Sequence, residues 1–323
     1  MKKPKHLLLI LTATVCAVLQ GPRLAGVRLP FLADAAAGTS AEPIAQLAAA
    51  EPPGDTMRAG RHLGFDTHSY PGDAAMRAWR GSGSPYEWVG YYLPAPCHKD
   101  DSWSGKRELL AEMGWGVAVI YVGQQTWEGS RPLSRAALSR ARRSGGLTCH
   151  RSLLGYVRGR ADAADAIART AAEGFAPGTV IFLDVEYMDR VPQAMREYYR
   201  AWTERVLADG RYRPGIYAHT RNAEVVYDDV RELYAAAGAS EEPPFWVASG
   251  RSFSLDKAPH EVGHAFAAVW QGLLDVTEKW NGFRLPIDVN VSAVPSPSSH
   301  EYAPAKYARY AGSAAGAPAI AGE

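Results

Sequence analysis

From His62 to Val291 the sequence alternates short apolar, β-rich runs with longer amphipathic stretches, and this rhythm restricts the fold more than any other feature. Strands that recur with helices between them form a parallel sheet, because each crossover must return the chain to the same edge. The spacing predicts strands at Leu63–Asp66, Trp88–Leu93, Trp115–Val122, Thr179–Tyr187, Pro214–Ala218, Phe245–Ala248, Ala265–Gln271 and Ile287–Val291. Helices are predicted over Ala74–Trp79, Lys106–Met113, Asp162–Glu173, Val191–Asp209 and Asn222–Ala236, and the stretch that holds Cys149 reads as a long loop. Eight short strands suit a barrel closed by parallel strands better than an open sheet. No clear helix separates the last three strands, so the expected class is α/β: a single irregular TIM-like (β/α) barrel, helix-poor in its second half.

The ends of the chain read differently. Met1-Lys2-Lys3-Pro4-Lys5 followed by the apolar run Leu7–Leu19 has the layout of an export signal, and the run is too short to span a membrane comfortably. The expected organisation is a signal and leader over 1–35, a flexible linker over 36–60, the barrel over 61–294 and a disordered Ser/Pro/Ala/Gly tail over 295–323. This predicts a secreted, periplasmic or cell-envelope protein with no transmembrane span in the mature chain. A net charge of +1 with scattered arginines gives no footprint for nucleic acid. Without the signal, two of the three cysteines remain, Cys97 and Cys149. An even pair in an exported chain predicts a disulfide, contributing about 4 kcal/mol in the loop-entropy picture.

The chemistry concentrates at strand ends. In Thr179–Tyr187, the run Thr-Val-Ile-Phe-Leu-Asp-Val-Glu-Tyr, the carboxylates Asp184 and Glu186 are two residues apart and so share one face of a strand. Asp66 ends the first predicted strand and Asp288 lies in the last, and barrel closure makes those two strands neighbours. Four carboxylates from three strands thus converge on one mouth, where crowding anions and apolar cover from nearby rings would raise the proton affinity of Glu186. That arrangement suits glycosidic bond cleavage, in which one acid protonates the leaving oxygen and another stabilises positive charge or activates water. Tyr217, Trp246, Trp270, Gln271 and Gln124 are the candidate sugar contacts. Gln124 and its neighbour Gln125 cannot both face inward on a two-residue period.

These residues also carry a resemblance. Gly64-Phe65-Asp66-Thr67, Met76-Arg77-Ala78-Trp79, Val89-Gly90-Tyr91-Tyr92, Met113-Gly114-Trp115-Gly116, Tyr121-Val122-Gly123-Gln124-Gln125, Phe182-Leu183-Asp184-Val185-Glu186 and Gly215-Ile216-Tyr217 follow one another as in the bacterial glycoside-hydrolase-like family known as domain of unknown function 1906. More distantly, the chain is similar to the family 25 glycoside hydrolases, the lysozymes that cut peptidoglycan. The resemblance implies Glu186 as general acid and Asp184 as its partner. It also implies Asp66 and Asp288 as flanking acids that orient water or an acetamido group. A cell-wall glycan is the implied partner, with no cofactor, no metal and a monomeric chain. The sequence departs from many relatives at His68 and Trp127, positions that carry cysteine in them.

Two other functions fit the same residues. A carbohydrate-binding protein would use the barrel mouth without turnover. A metal-dependent hydrolase would gather Asp66, His68, Asp184, Glu186 and His219 around a divalent ion, although no His-x-x-x-His spacing supports it.

Overall fold

The computed structural model describes residues 60–127, 129, 133–144 and 147–299. The expected signal, leader and nearly all of the linker lie outside these residues, as does the tail beyond 299. Eight strands close into one barrel in sequence order: β1 (His62–Asp66), β2 (Trp88–Tyr92), β3 (Gly116–Tyr121), β4 (Val180–Val185), β5 (Arg213–His219), β6 (Phe245–Ala248), β7 (Ala267–Trp280) and β8 (Phe283–Ser292). Six helices accompany them among the described residues: α1 (Asp73–Arg80), α2 (Arg107–Glu112), α3 (Arg135–Ser144), α4 (Tyr156–Ala172), α5 (Gln193–Asp209) and α6 (Thr220–Ala236). Only a short 3₁₀ turn, Pro259–Val262, separates β6 from β7. No helix among the described residues is long and apolar enough to cross a membrane.

Closure differs from the all-parallel expectation. Strand β8 runs antiparallel to both β7 and β1. The cause is local: β7 and β8 are joined through Asn281 and Gly282, with φ of 47° and 93°. A two-residue turn with both angles positive makes a tight hairpin, whereas parallel strands need a crossover of a dozen residues or more. The antiparallel direction carries Asp288 to the mouth, opposite Asp66 in the β1–β8 register.

Inward-facing residues follow the two-residue period of the strands. Trp88, Ala118, Ile120, Val180, Phe182, Trp246 and Val269 fill the barrel as one buried cluster. A larger apolar layer, including Phe65, Trp79, Tyr91, Val119, Leu183, Ile216 and Trp202, lies between barrel and helices. Each large side chain so buried contributes roughly 1.5–3 kcal/mol. The long helix α5 stops at Gly210, whose φ of 75° is the left-handed conformation glycine adopts without strain.

Three local expectations change. Helix α3 occupies part of the stretch read as a loop; its sequence Arg-Ala-Ala-Leu-Ser-Arg-Ala-Arg-Arg-Ser has too few apolar residues for a broad core-facing stripe. Strands β7 and β8 run longer than the apolar pattern, as a hairpin whose tip Asn281 donates its side-chain amide to Ala78 O of α1 at 2.7 Å. The segment from Pro295 to Ser299 is ordered rather than part of a disordered tail. Ser298 N donates to Val117 O, and Val180 N donates to Ser298 O, each at 2.9 Å. Ser298 therefore bridges β3 and β4 below their own pairing, which begins at Val119 and Ile181. Composition pointed to disorder, but backbone and hydroxyl groups of this short polar segment satisfy strand edges that would otherwise be open. Gly116 admits the approach, since a Cβ there would sit 1.9 Å from Pro295 O.

Cys97 and Cys149 form the expected disulfide, 52 residues apart in sequence.

Candidate active site

The inward positions turn from apolar to acidic as each strand nears the mouth. Asp66, Tyr92, Ile120, Asp184, Glu186, Tyr217, Trp246, Gln271 and Asp288 line one pocket. All four expected carboxylates therefore share one pocket. Gly90 on β2 makes the space: a Cβ there would lie 2.6 Å from the Asp66 Cβ and 2.9 Å from the Ile120 methyl.

The four acids differ in their partners. Asp66 is buried and accepts three hydrogen bonds, from Tyr92 Oη at 2.7 Å, Gln271 Nε2 at 3.0 Å and Asn290 Nδ2 at 2.8 Å. Burial raises its proton affinity and the three donors work against that rise. Asp288 accepts from Asp275 N at 2.7 Å and from Gln271 Nε2 at 3.2 Å. Burial, with the Asp66 charge second, pushes Asp288 up to about 8. Glu186 is raised by burial and by Asp66, against a backbone hydrogen bond from Tyr187. Asp184 is raised well above the usual carboxylate range by burial, then by the neighbouring Glu186 and Asp66 charges. Its Oδ1 is buried and accepts no hydrogen bond among the described residues. Asp66 is thus the acid best provided to stay ionised, and Asp184 the least.

A family model described as Rv2525c-like, glycoside hydrolase-like domain, matches residues 77–292. The chain belongs to this family. The matched range contains Asp184, Glu186 and Asp288, while Asp66 lies before it on β1. No curated protein matches the chain. Solved structures similar to it include an uncharacterized B. stearothermophilus protein, at 20% identity and a TM-score of 0.49, with 72% of this chain and 95% of that one covered. The Clostridium perfringens spore cortex lytic enzyme SleM gives 14% identity and a TM-score of 0.45, covering 72% and 67%. The Mycobacterium tuberculosis Tat-secreted protein Rv2525c gives 17% and 0.42, covering 72% and 94%.

The other expected contacts divide. Tyr217 and Gln271 line the pocket and are bonded to each other, Tyr217 Oη to Gln271 Oε1 at 2.7 Å. Trp246 lines it from below, fully buried, with its indole N–H on Asn290 Oδ1 at 3.0 Å. Trp270 does not reach the pocket. One residue before Gln271, it takes the opposite face, packs edge-on to Phe253 and donates to Ser249 O at 2.7 Å. Gln124 also points away. The strand ends at Tyr121, so the period lapses beyond it; Gln124 instead donates to Thr148 O and accepts from His150 N, at 2.8 and 2.9 Å. Its neighbour Gln125 is the one of the pair that meets the acidic strand end, donating to Asp184 O at 3.0 Å and accepting from Glu186 N at 3.4 Å.

The five groups of the metal reading do not converge. His219 caps α6, its Nδ1 accepting from Arg221 N at 3.1 Å, and its ring meets Tyr187 edge-on. His68 lies exposed at the rim beside Ser69 and Asp100. Among the described residues no group of three His, Cys, Asp or Glu side chains is arranged to hold a metal ion. Tyr92 and Asn290, both partners of Asp66, were not among the expected site residues. Asn290 was legible as the polar residue two positions from Asp288, on the same strand face.

Proposed function

We propose that this is an exported, carbohydrate-directed protein that receives a cell-wall glycan, peptidoglycan foremost, in the four-carboxylate pocket. Family membership and an open acidic mouth support glycan binding on a glycoside-hydrolase barrel. Acid/base hydrolysis is the finer step. It is carried by one observation: burial first, then the Glu186 charge on Asp184 and the Asp66 charge on both, raises the proton affinity of Asp184 and Glu186, beside an Asp66 whose charge three donors stabilise. Glu186 would then protonate the leaving oxygen with Asp184 as its partner, and Asp66 would face the positive charge that develops on the sugar. Asp288 would orient water or an acetamido group.

Binding without turnover is the second reading. It is favoured by Gln271, whose one amide nitrogen ties Asp66 and Asp288 together and occupies both acids.

Incubation with purified cell walls separates the two. Hydrolysis predicts release of reducing ends that falls by about 10²–10⁴ in Glu186→Gln. Wall binding with no reducing ends released would establish the binding reading, and release unaffected by Glu186→Gln would remove Glu186 from the mechanism.

A further inference from the structure

Beside Asp66 lies a column of rings that the carboxylate set does not include. Tyr92, which donates to Asp66 Oδ1 at 2.7 Å, stacks on His98 with centroids 4.7 Å apart and planes at 26°. His98 in turn meets His68 at 4.3 Å. His98 is 2% exposed, and its Nε2 has no hydrogen-bond partner among the described residues. Burial, with His68 second, pushes its imidazole down to about 4, so it remains an uncharged flat ring at neutral pH.

The ring is held in place from its backbone. Ala95 N donates to His98 O at 2.7 Å and His98 N to Ala95 O at 3.1 Å. The adjacent Cys97 is fixed twice, by the disulfide to Cys149 and by its N–H on Val122 O at 3.1 Å. A buried imidazole that makes no hydrogen bond through Nε2 costs stability that a leucine would not. What the flat ring supplies is a face against which Tyr92 has one orientation.

We propose that His98 is a positioning residue, braced by the Cys97–Cys149 disulfide, that holds the Tyr92 hydroxyl on Asp66. This rests on the reading of Asp66 as a working acid of the pocket. Asp184, Glu186 and Asp288 are the other titrating groups around it, and Tyr92, Gln271 and Asn290 are its donors.

The test follows the Asp66 carboxyl carbon by ¹³C NMR titration, assigned with Asp66→Asn, and needs no turnover. Removing a donor to a carboxylate raises its midpoint, so Tyr92→Phe is expected to shift Asp66 upward by about one pH unit. His98→Leu, which fills the same space without a flat face, should shift it in the same direction. His98→Phe keeps the face and should restore the native midpoint. In the Tyr92→Phe background, His98→Leu should add nothing. A native midpoint in folded His98→Leu, or an equal shift in His98→Phe, overturns the proposal. Absence of glycan cleavage would instead sink the hydrolase reading and leave the titration result standing.

Discussion

Tyr217 donates its hydroxyl to Gln271 Oε1, and this orients the Gln271 amide so that its nitrogen meets Asp66 and Asp288. A tyrosine on β5 thus governs how two acids on β1 and β8 are solvated. Tyr217→Phe frees the amide to rotate, and Gln271→Leu removes it. Both variants should raise the acid midpoints of Asp66 and Asp288. At neutral pH the first should destabilise the barrel by about 1 kcal/mol and the second by about 2 kcal/mol. Urea unfolding measures the loss; equal stability in all three proteins would mean that the bridge contributes nothing.

The raised acids should also make stability fall as pH rises. Asp288 holds its proton to about pH 8 in the barrel, against an ordinary value of 3.8. Below about pH 4 the folded and unfolded chains both keep this proton, and the native state bears no penalty. Between there and pH 8 the unfolded chain releases it and the native chain does not, so the folded state loses ground. Asp288→Asn removes the effect while keeping an acceptor for Asp275 N. The variant should gain on the native protein with rising pH, by up to about 1.4 kcal/mol for each pH unit between pH 4 and pH 8. Denaturation at pH 5 and pH 8 reads it directly, and a gain equal at the two values would show that Asp288 titrates normally.

How much of this was readable depended on whether a residue obeyed the strand period. Asp184 and Glu186 were legible because an apolar strand runs into them two residues apart. Asp288 was placed at the mouth under an assumption of parallel closure, yet it arrives there because β8 is antiparallel. The Asn281–Gly282 turn was the available cue for that direction. Trp270 was misplaced by one residue's offset from Gln271, which on a strand reverses the face. Tyr92 went unassigned because its hydroxyl reaches Asp66 across the sheet, past Gly90, whose missing Cβ leaves room for Asp66, and a neighbour on another strand is not written in the local sequence. Helix α3 was hidden by its arginines.

The two tryptophans give a direct check on inner and outer faces. Trp246→Phe deletes the donor to Asn290 Oδ1, and Asn290 is itself a donor to Asp66. Trp270→Phe deletes the donor to Ser249 O, on the far side of the strand. Each should destabilise by about 1–3 kcal/mol, because a buried acceptor is left unpaired. Only Trp246→Phe should also weaken glycan binding, measured on purified walls. Equal weakening by Trp270→Phe would refute its assignment outside the pocket.

Ser298 makes a sharper claim on the barrel's opposite end. Its backbone joins Val117 O and Val180 N, and its hydroxyl accepts from Val119 N at 2.7 Å. Ser296 adds a hydroxyl that accepts from Val117 N at 3.0 Å. A chain ending at Val294 leaves four strand-edge groups on β3 and β4 without these partners. Each lost hydrogen bond is worth about 1 kcal/mol, so a loss of roughly 3–4 kcal/mol is expected relative to a chain ending at Ser299. Ser298→Ala should account for only the hydroxyl's share, about 1 kcal/mol. Urea midpoints of the three proteins order these effects. If the chain ending at Val294 unfolds with the one ending at Ser299, the segment is not a working part of the barrel, and β3 and β4 close on each other without it.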